Sequence, residues 1–141
     1  MSFWQWIMVL LIIAFVIYGI FYYVFLPTQV ISPSPVGLIT RDDPVKGTIL
    51  ADSNGKSLYI FDRDTLGVSN CIDTCLVNWP PFSANLATQD TLPENVSIIN
   101  HPDGSSQFAW KGLPLYYYIQ DVNIGDVLGD DFGGVWHLVQ P

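Results

Sequence analysis

Two hydrophobic regimes divide the 141-residue chain. The first is continuous. Ile7 to Leu26 reads IMVLLIIAFVIYGIFYYVFL, twenty residues without a charge. At about 1.5 Å per residue such a helix is roughly 30 Å long, the thickness of a bilayer core. Trp4 and Trp6 precede it, Tyr22 and Tyr23 lie near its far end, and Pro27 stops it. Those are the positions where interfacial aromatics and helix breakers belong. The pattern therefore predicts a transmembrane anchor over residues 1–26. A cleaved signal peptide fits less well: no basic segment precedes the run, no small-residue cleavage site follows it, and no lipidation Cys stands behind it. Leu26 to Gly37 reads LPTQVISPSPVG, a Pro-rich stretch that predicts an extended, semi-rigid linker over residues 27–46.

From Gly47 to Pro141 the period changes to two. GTILADSNGKSLYIF predicts a strand, an Asp52–Gly55 turn and a second strand paired as a hairpin. SIINHPDGSSQFAWKGLPLYYY predicts an Asp103-Gly104 turn, a strand through Phe108 and Trp110, a Lys111-Gly112 turn and another strand. Gly133-Gly134 then leads into a last strand, Val135 to Val139. Alternation places Tyr59 and Phe61 on one strand face and Leu58 and Ile60 on the other.

These two stretches repeat one another. Gly55-x-x-Leu58-Tyr59-x-Phe61-x-x-Asp64 recurs as Gly112-x-x-Leu115-Tyr116-x-Tyr118-x-x-Asp121, an offset of 57. A lone hairpin buries too little surface to stand, so the repetition predicts two related β units sharing one core. The expected fold class is mainly β: one N-terminal transmembrane helix plus a small antiparallel β domain at 47–141. Within it, Tyr59, Phe61, Tyr116 and Tyr118 are either core aromatics or a binding face. Asp64 and Asp121 just past each strand suit acceptors for turn amides or a Tyr hydroxyl.

Charge narrows the partners. All 18 charged residues lie between Arg41 and Asp131, and five basic against thirteen acidic residues give −8. Nucleic acid is excluded by the lack of clustered Lys and Arg. The expected partners are the membrane and integral membrane protein subunits. The basic residues nearest the apolar run, Arg41 and Lys46, oppose an outer domain, whereas the cysteine pair favours one. The expectation is a single-pass protein with its C-terminal domain on the outer face.

Cys71 and Cys75 are the only cysteines. At i, i+4 on a helical turn their Cα atoms come within about 6 Å, inside disulfide range. Such a bond would fix the loop carrying Trp79, Pro80 and Pro81; a free thiol pair or a metal site are the alternatives. The Cys-x-Asp-x-Cys run superficially resembles a binuclear copper loop, but Trp79 and Phe82 stand where copper needs His and Met. Asp121, Asn123 and Asp126 are weak Ca²⁺ candidates, since the segment departs from the EF-hand pattern. His101 and His137 are weak metal ligands that fit hydrogen-bonded strand residues better. Catalytic motifs of hydrolases, metalloproteases and P-loop enzymes are missing.

The Y-x-[FWY]-x-x-D repeat, the Cys71–Pro81 run C-x3-C-x3-W-P-P and the terminal Gly134-Val135-Trp136-His137 with a final Pro resemble a bacterial and archaeal family. It is the family of predicted secreted or lipoprotein repeats with the Yx(FWY)xxD motif. The resemblance covers about residues 47–141. It implies an extracytoplasmic β domain without an assigned activity. The sequence departs from it by carrying an apolar helix in place of a lipidated Cys. The leading expectation is a non-catalytic accessory or structural subunit of a membrane complex, such as a respiratory terminal oxidase. The alternatives are a ligand- or polymer-binding module that uses the duplicated aromatic faces, and a redox or metal protein that uses Cys71, Cys75 and a His.

Overall fold

The computed structural model describes residues 3–5, 7, 8, 11, 14, 15, 18, 37–84 and 92–141. The chain divides into two compact units, Met1–Ser32 and Pro33–Pro141. In the first unit the described residues are helical. Among the described residues no helix is long and apolar enough to cross a membrane. Much of the predicted 7–26 span, and residues 27–36 of the predicted linker, lie outside the described residues.

The second unit is mainly β, in small antiparallel sheets. Strand β1 (Leu38–Asp43) pairs with β2 (Gly47–Asp52), and β3 (Tyr59–Phe61) follows. Helix α1 spans Thr74–Asn78. Then come β4 (Val96–Asn100), β5 (Ser106–Trp110), β6 (Leu113–Pro114), a 3₁₀ turn at Phe132–Gly134, and β7 (Trp136–Leu138). Sheet order is β1-β2, β3-β7 and β4-β5-β6.

Two sequence expectations change here. Residues 38–43, read as linker, form β1, because the β2 strand needs a partner along its edge and Leu38 to Asp43 supply a full antiparallel register from Leu38↔Asp52 to Asp43↔Gly47. The predicted hairpin across Asp52–Gly55 also stops early. Ser57 bridges Ala51 and the Leu58 amide donates to Leu50, but β3 then leaves to pair with β7. The other edge of β2 is taken by the chain terminus, where the Leu50 amide donates to the Val139 carbonyl and the Val139 amide donates to Leu58. In the second unit of the repeat, the tight Lys111-Gly112 turn forms as expected. Both residues have positive φ, 50° and 84°, the conformation of a two-residue hairpin turn that follows strand twist.

The expected alternation holds. Leu50, Leu58, Phe82, Val96, Phe108, Leu115 and Val139 form one aliphatic-rich core. Tyr59, Phe61, Trp79, Tyr116, Tyr118 and Trp136 form a second, aromatic core on the opposite face. Each core draws on both repeats, so neither repeat owns one.

Candidate functional site

The repeated motif meets itself at the centre of the domain. Tyr59 and Tyr116 face each other in an antiparallel bridge: each amide donates to the other's carbonyl, both at 2.9 Å. Both residues are fully buried. Their hydroxyls then cross over. Tyr59 donates to Asp121 at 2.6 Å and Tyr116 donates to Asp64 at 2.8 Å. Each tyrosine thus bonds the aspartate of the other repeat. Turn amides complete both carboxylates, from Asn70 onto Asp64 and from Leu128 onto Asp121. Burial pushes both carboxyls up from the ordinary 3.8, against the hydrogen bonds that favour ionisation. Burial likewise pushes both tyrosine hydroxyls up, so they stay protonated donors.

Ring packing follows the same exchange. Trp79 stacks on Trp136 at 3.7 Å between centroids, with the planes 2° apart. Phe61 covers the outer face of Trp136 at 4.2 Å, and Tyr118 covers Trp79 at 4.4 Å. The result is a four-ring stack, Phe61–Trp136–Trp79–Tyr118, symmetric about the tryptophan pair. Trp79 and Trp136 are themselves 57 positions apart, as are Pro81 and Leu138, which bridge or pair with Tyr116 and Tyr59. The segment closing each repeat is therefore a strand partner of the other repeat. Such large faces in contact contribute roughly 0.5–1.5 kcal/mol per ring pair beyond their burial.

A family described as a secreted repeat of unknown function, Lipoprotein_15, matches residues 37–83 and 97–140. The chain belongs to this secreted-repeat family. No curated protein and no solved structure matches it. The two matched segments are the two interlocked halves just described, and the secreted character agrees with an extracytoplasmic domain.

The structure decides between the alternatives that the sequence left open. Tyr59, Phe61, Tyr116 and Tyr118 are each at most 9 % exposed, so they are core and not a face open to a ligand. The reason is topological: each motif strand is covered by the closing segment of the other repeat. Cys71 and Cys75 form a disulfide, with Cα atoms 5.3 Å apart and no free cysteine left as a thiol ligand. The acidic segment does not converge on a cation. Asp121 serves Tyr59 and Leu128, Asp126 accepts from the Asn123 amide, and Asp130 accepts from Leu138 and pairs with Lys46. Among the described residues no group of three or more His, Cys, Asp or Glu is placed to hold a metal. His137 lies 3.0 Å from Asp62 on the surface, and His101 lies 2.9 Å from the Gln107 side chain.

His101 belongs to a feature that sequence reasoning missed. A cavity of about 580 Å³ opens between the Gly67–Ile72 loop and the β4–β5 hairpin. Its lining includes Ser69, Ile99, His101, Asp103 and Gln107. Gln107 is a buried polar residue whose amide nitrogen donates to the Leu115 carbonyl at 2.7 Å. Its oxygen must then accept from His101 Nε2–H, so Nδ1 is the acceptor whenever the ring is neutral. Asp103 takes both Ser105 donors on one carboxylate oxygen, Oδ1. The signal available in sequence was a Gln between Ser106 and Phe108 at the head of a predicted strand, which fits a satisfied core amide equally well.

Proposed function

We propose that this secreted-repeat protein is a membrane-anchored, non-catalytic extracytoplasmic subunit of a membrane protein complex. The observation that carries the reading is in the N-terminal unit. Phe3, Trp4, Met8, Leu11, Phe15 and Tyr18 are helical with uncovered large apolar side chains, Phe15 being 82 % exposed. Side chains of this kind cost free energy in water and are favourable in lipid. With the charge-free run from Ile7 to Leu26, they support a retained anchor.

The folded repeats support a structural rather than a chemical role. On this reading the Tyr-x-aromatic-x-x-Asp pattern is the signature of the interlock, since its hydroxyls and carboxylates are spent on one another. The loops that follow each motif keep apolar side chains outside the core: Leu66, Val68 and Ile72 in one, and Val122, Ile124, Leu128 and Phe132 in the other. Exposed apolar surface of that extent suits contact with neighbouring subunits.

The test is extraction followed by identification of companions. Membranes washed at mildly alkaline pH should keep the full chain, and deletion of residues 1–26 should release it. Gentle detergent extraction should bring down a stoichiometric set of integral membrane subunits. A full chain that washes off, or that purifies as a lone monomer, rejects the proposal.

A further inference from the structure

The two halves of the domain correspond in strand register, at an offset of 58 in the hairpins and 57 from the motif onward, and Arg41 of one half corresponds to a residue that lines an open crevice in the other. β1–β2 closes at Asp43↔Gly47 and β4–β5 at Asn100↔Ser106 with the His101 amide donating to the Ser105 carbonyl beyond it, so Pro44 and Pro102 stand at matching places. Arg41 then corresponds to Ile99, Asp43 to His101 and Lys46 to Gly104. Across the crevice, Gly125 and Asp126 correspond to Val68 and Ser69 through the offset of 57.

In the first half the corresponding place holds the Arg41 guanidinium. Arg41 Nη2 donates to Ser57 Oγ at 2.9 Å, and Nη1 lies 3.8 Å from Asp43 Oδ2. Its guanidinium lies against Gly125, where an added Cβ would be 3.8 Å from Nη1. Lys46 Nζ reaches Asp130 at 2.7 Å. Of the residues facing this guanidinium, Gly125 and Asp43 are the counterparts of Val68 and His101, which line the open cavity of the second half, whereas Ser57 corresponds to Pro114, which does not. There Ile99 supplies no cation, and a cavity of about 580 Å³ opens.

We propose that this cavity receives the guanidinium of an arginine side chain presented by a partner polypeptide, in the place that Arg41 fills in the other half. The polar groups suit a donor-only cation. Asp103 keeps its Oδ2 clear of the Ser105 bonds, and in the neutral His101 ring the bond from Nε2–H to Gln107 leaves Nδ1 an acceptor. The Ser105 hydroxyl and amide bonds keep the Asp103 carboxyl below its ordinary value, so it is anionic at neutral pH. Val68, Ile72, Leu76 and Ile99 offer an apolar wall for the aliphatic stem. A net charge of −8 attracts a cationic partner from a distance. The inference goes beyond the tethered-subunit reading and requires no anchor.

The full chain in detergent, observed by NMR, is titrated with acetyl-Ala-Arg-Ala-amide and with the same tripeptide carrying neutral citrulline. The arginine peptide should give saturable shifts at Ser69, His101 and Gln107, and the citrulline peptide should not. Asp103→Asn, an exposed turn position where the amide still accepts from Ser105, should weaken binding by about fivefold, the scale of one solvent-exposed ion pair. Ile99→Arg, which supplies the missing guanidinium in cis, should abolish the response. If that variant does not fold, Asp103→Asn decides. Equal response to citrulline, no saturable shift, or arginine binding indifferent to Asp103→Asn overturns the assignment.

Discussion

The two repeats solve the same problem with different chemistry. In each, the tryptophan follows the motif aspartate by fifteen positions, Asp64 to Trp79 and Asp121 to Trp136. In the first, Cys71 and Cys75 close that loop covalently. In the second, the matching positions are Leu128 and Phe132. Phe132 packs its ring against Trp79 and Tyr118, with centroids 5.8 and 5.4 Å away, while remaining half exposed. A covalent staple in one half thus stands where side-chain packing serves in the other. What the halves share without change is the exchange at the centre: tyrosine to foreign aspartate, tryptophan on tryptophan. Loop closure is open to substitution because it acts locally. The central contacts are not, because each one belongs to both repeats at once.

The heaviest blow to that symmetry falls on the stacked tryptophans. Trp79→Ala and Trp136→Ala should each cost roughly 3–5 kcal/mol in chemical denaturation, since each leaves a cavity between buried rings. Similar losses from both would support a shared core; a loss confined to one would mean that the repeats are stabilised separately.

Next in size is the hydroxyl exchange. Tyr59→Phe or Tyr116→Phe should destabilise by roughly 1–3 kcal/mol, the cost of leaving a buried carboxylate short of a donor. A double-mutant cycle sharpens the point. Tyr59→Phe should couple with Asp121→Asn and not with Asp64→Asn, although Asp64 is the aspartate of its own motif. Coupling to Asp64 would mean that the motif closes within each repeat.

Replacing Cys71 and Cys75 by Ala should cost about 2 kcal/mol at most, the chain-entropy value for so short a loop. Tryptophan fluorescence in the folded state should barely change, because Trp79 is held by rings on both faces. A large spectral change would give the disulfide a larger part than its counterpart Leu128 and Phe132.

The smallest effect is on pH dependence. Asp64 and Asp121 have folded-state carboxyls raised above 3.8 by burial, so the folded state holds their protons more tightly than the unfolded state. Their ionisation therefore opposes folding, and this term should stabilise the domain as pH falls from neutral towards the ordinary carboxylate range. Asp43, held low by the Lys46 and Val45 amides, and Asp103, held low by Ser105, act in the opposite sense. Their contribution is present above 3.8 and fades at lower pH. In thermal melts, Asp64→Asn with Asp121→Asn should remove the gain on mild acidification and leave the loss in stronger acid. An unchanged profile would show that the buried pair does not set it.

Much of the fold was legible in the chain. Period-two alternation separated Tyr59 and Phe61 from Leu58 and Ile60, and the structure places those faces in two different cores. The offset of 57 disclosed two units, and the Cys71–Cys75 spacing allowed the bond that forms. Less legible were β1, whose mixed residues show no strong alternation, and the strand partner of β3, which lies at the far end of the chain.

Local pattern sets which residues can share a face, because side-chain direction depends only on backbone period. It therefore determined the alternation, the turns and the duplication by itself. Which aspartate each tyrosine finds, and that four aromatic rings form one column, depend on how two identical interfaces pack against each other. Only the tertiary structure decided that, since a repeat written twice offers every partner twice. The same packing placed Arg41 in one half and Ile99 beside an open cavity in the other, a difference that carries meaning only once the halves are matched in strand register.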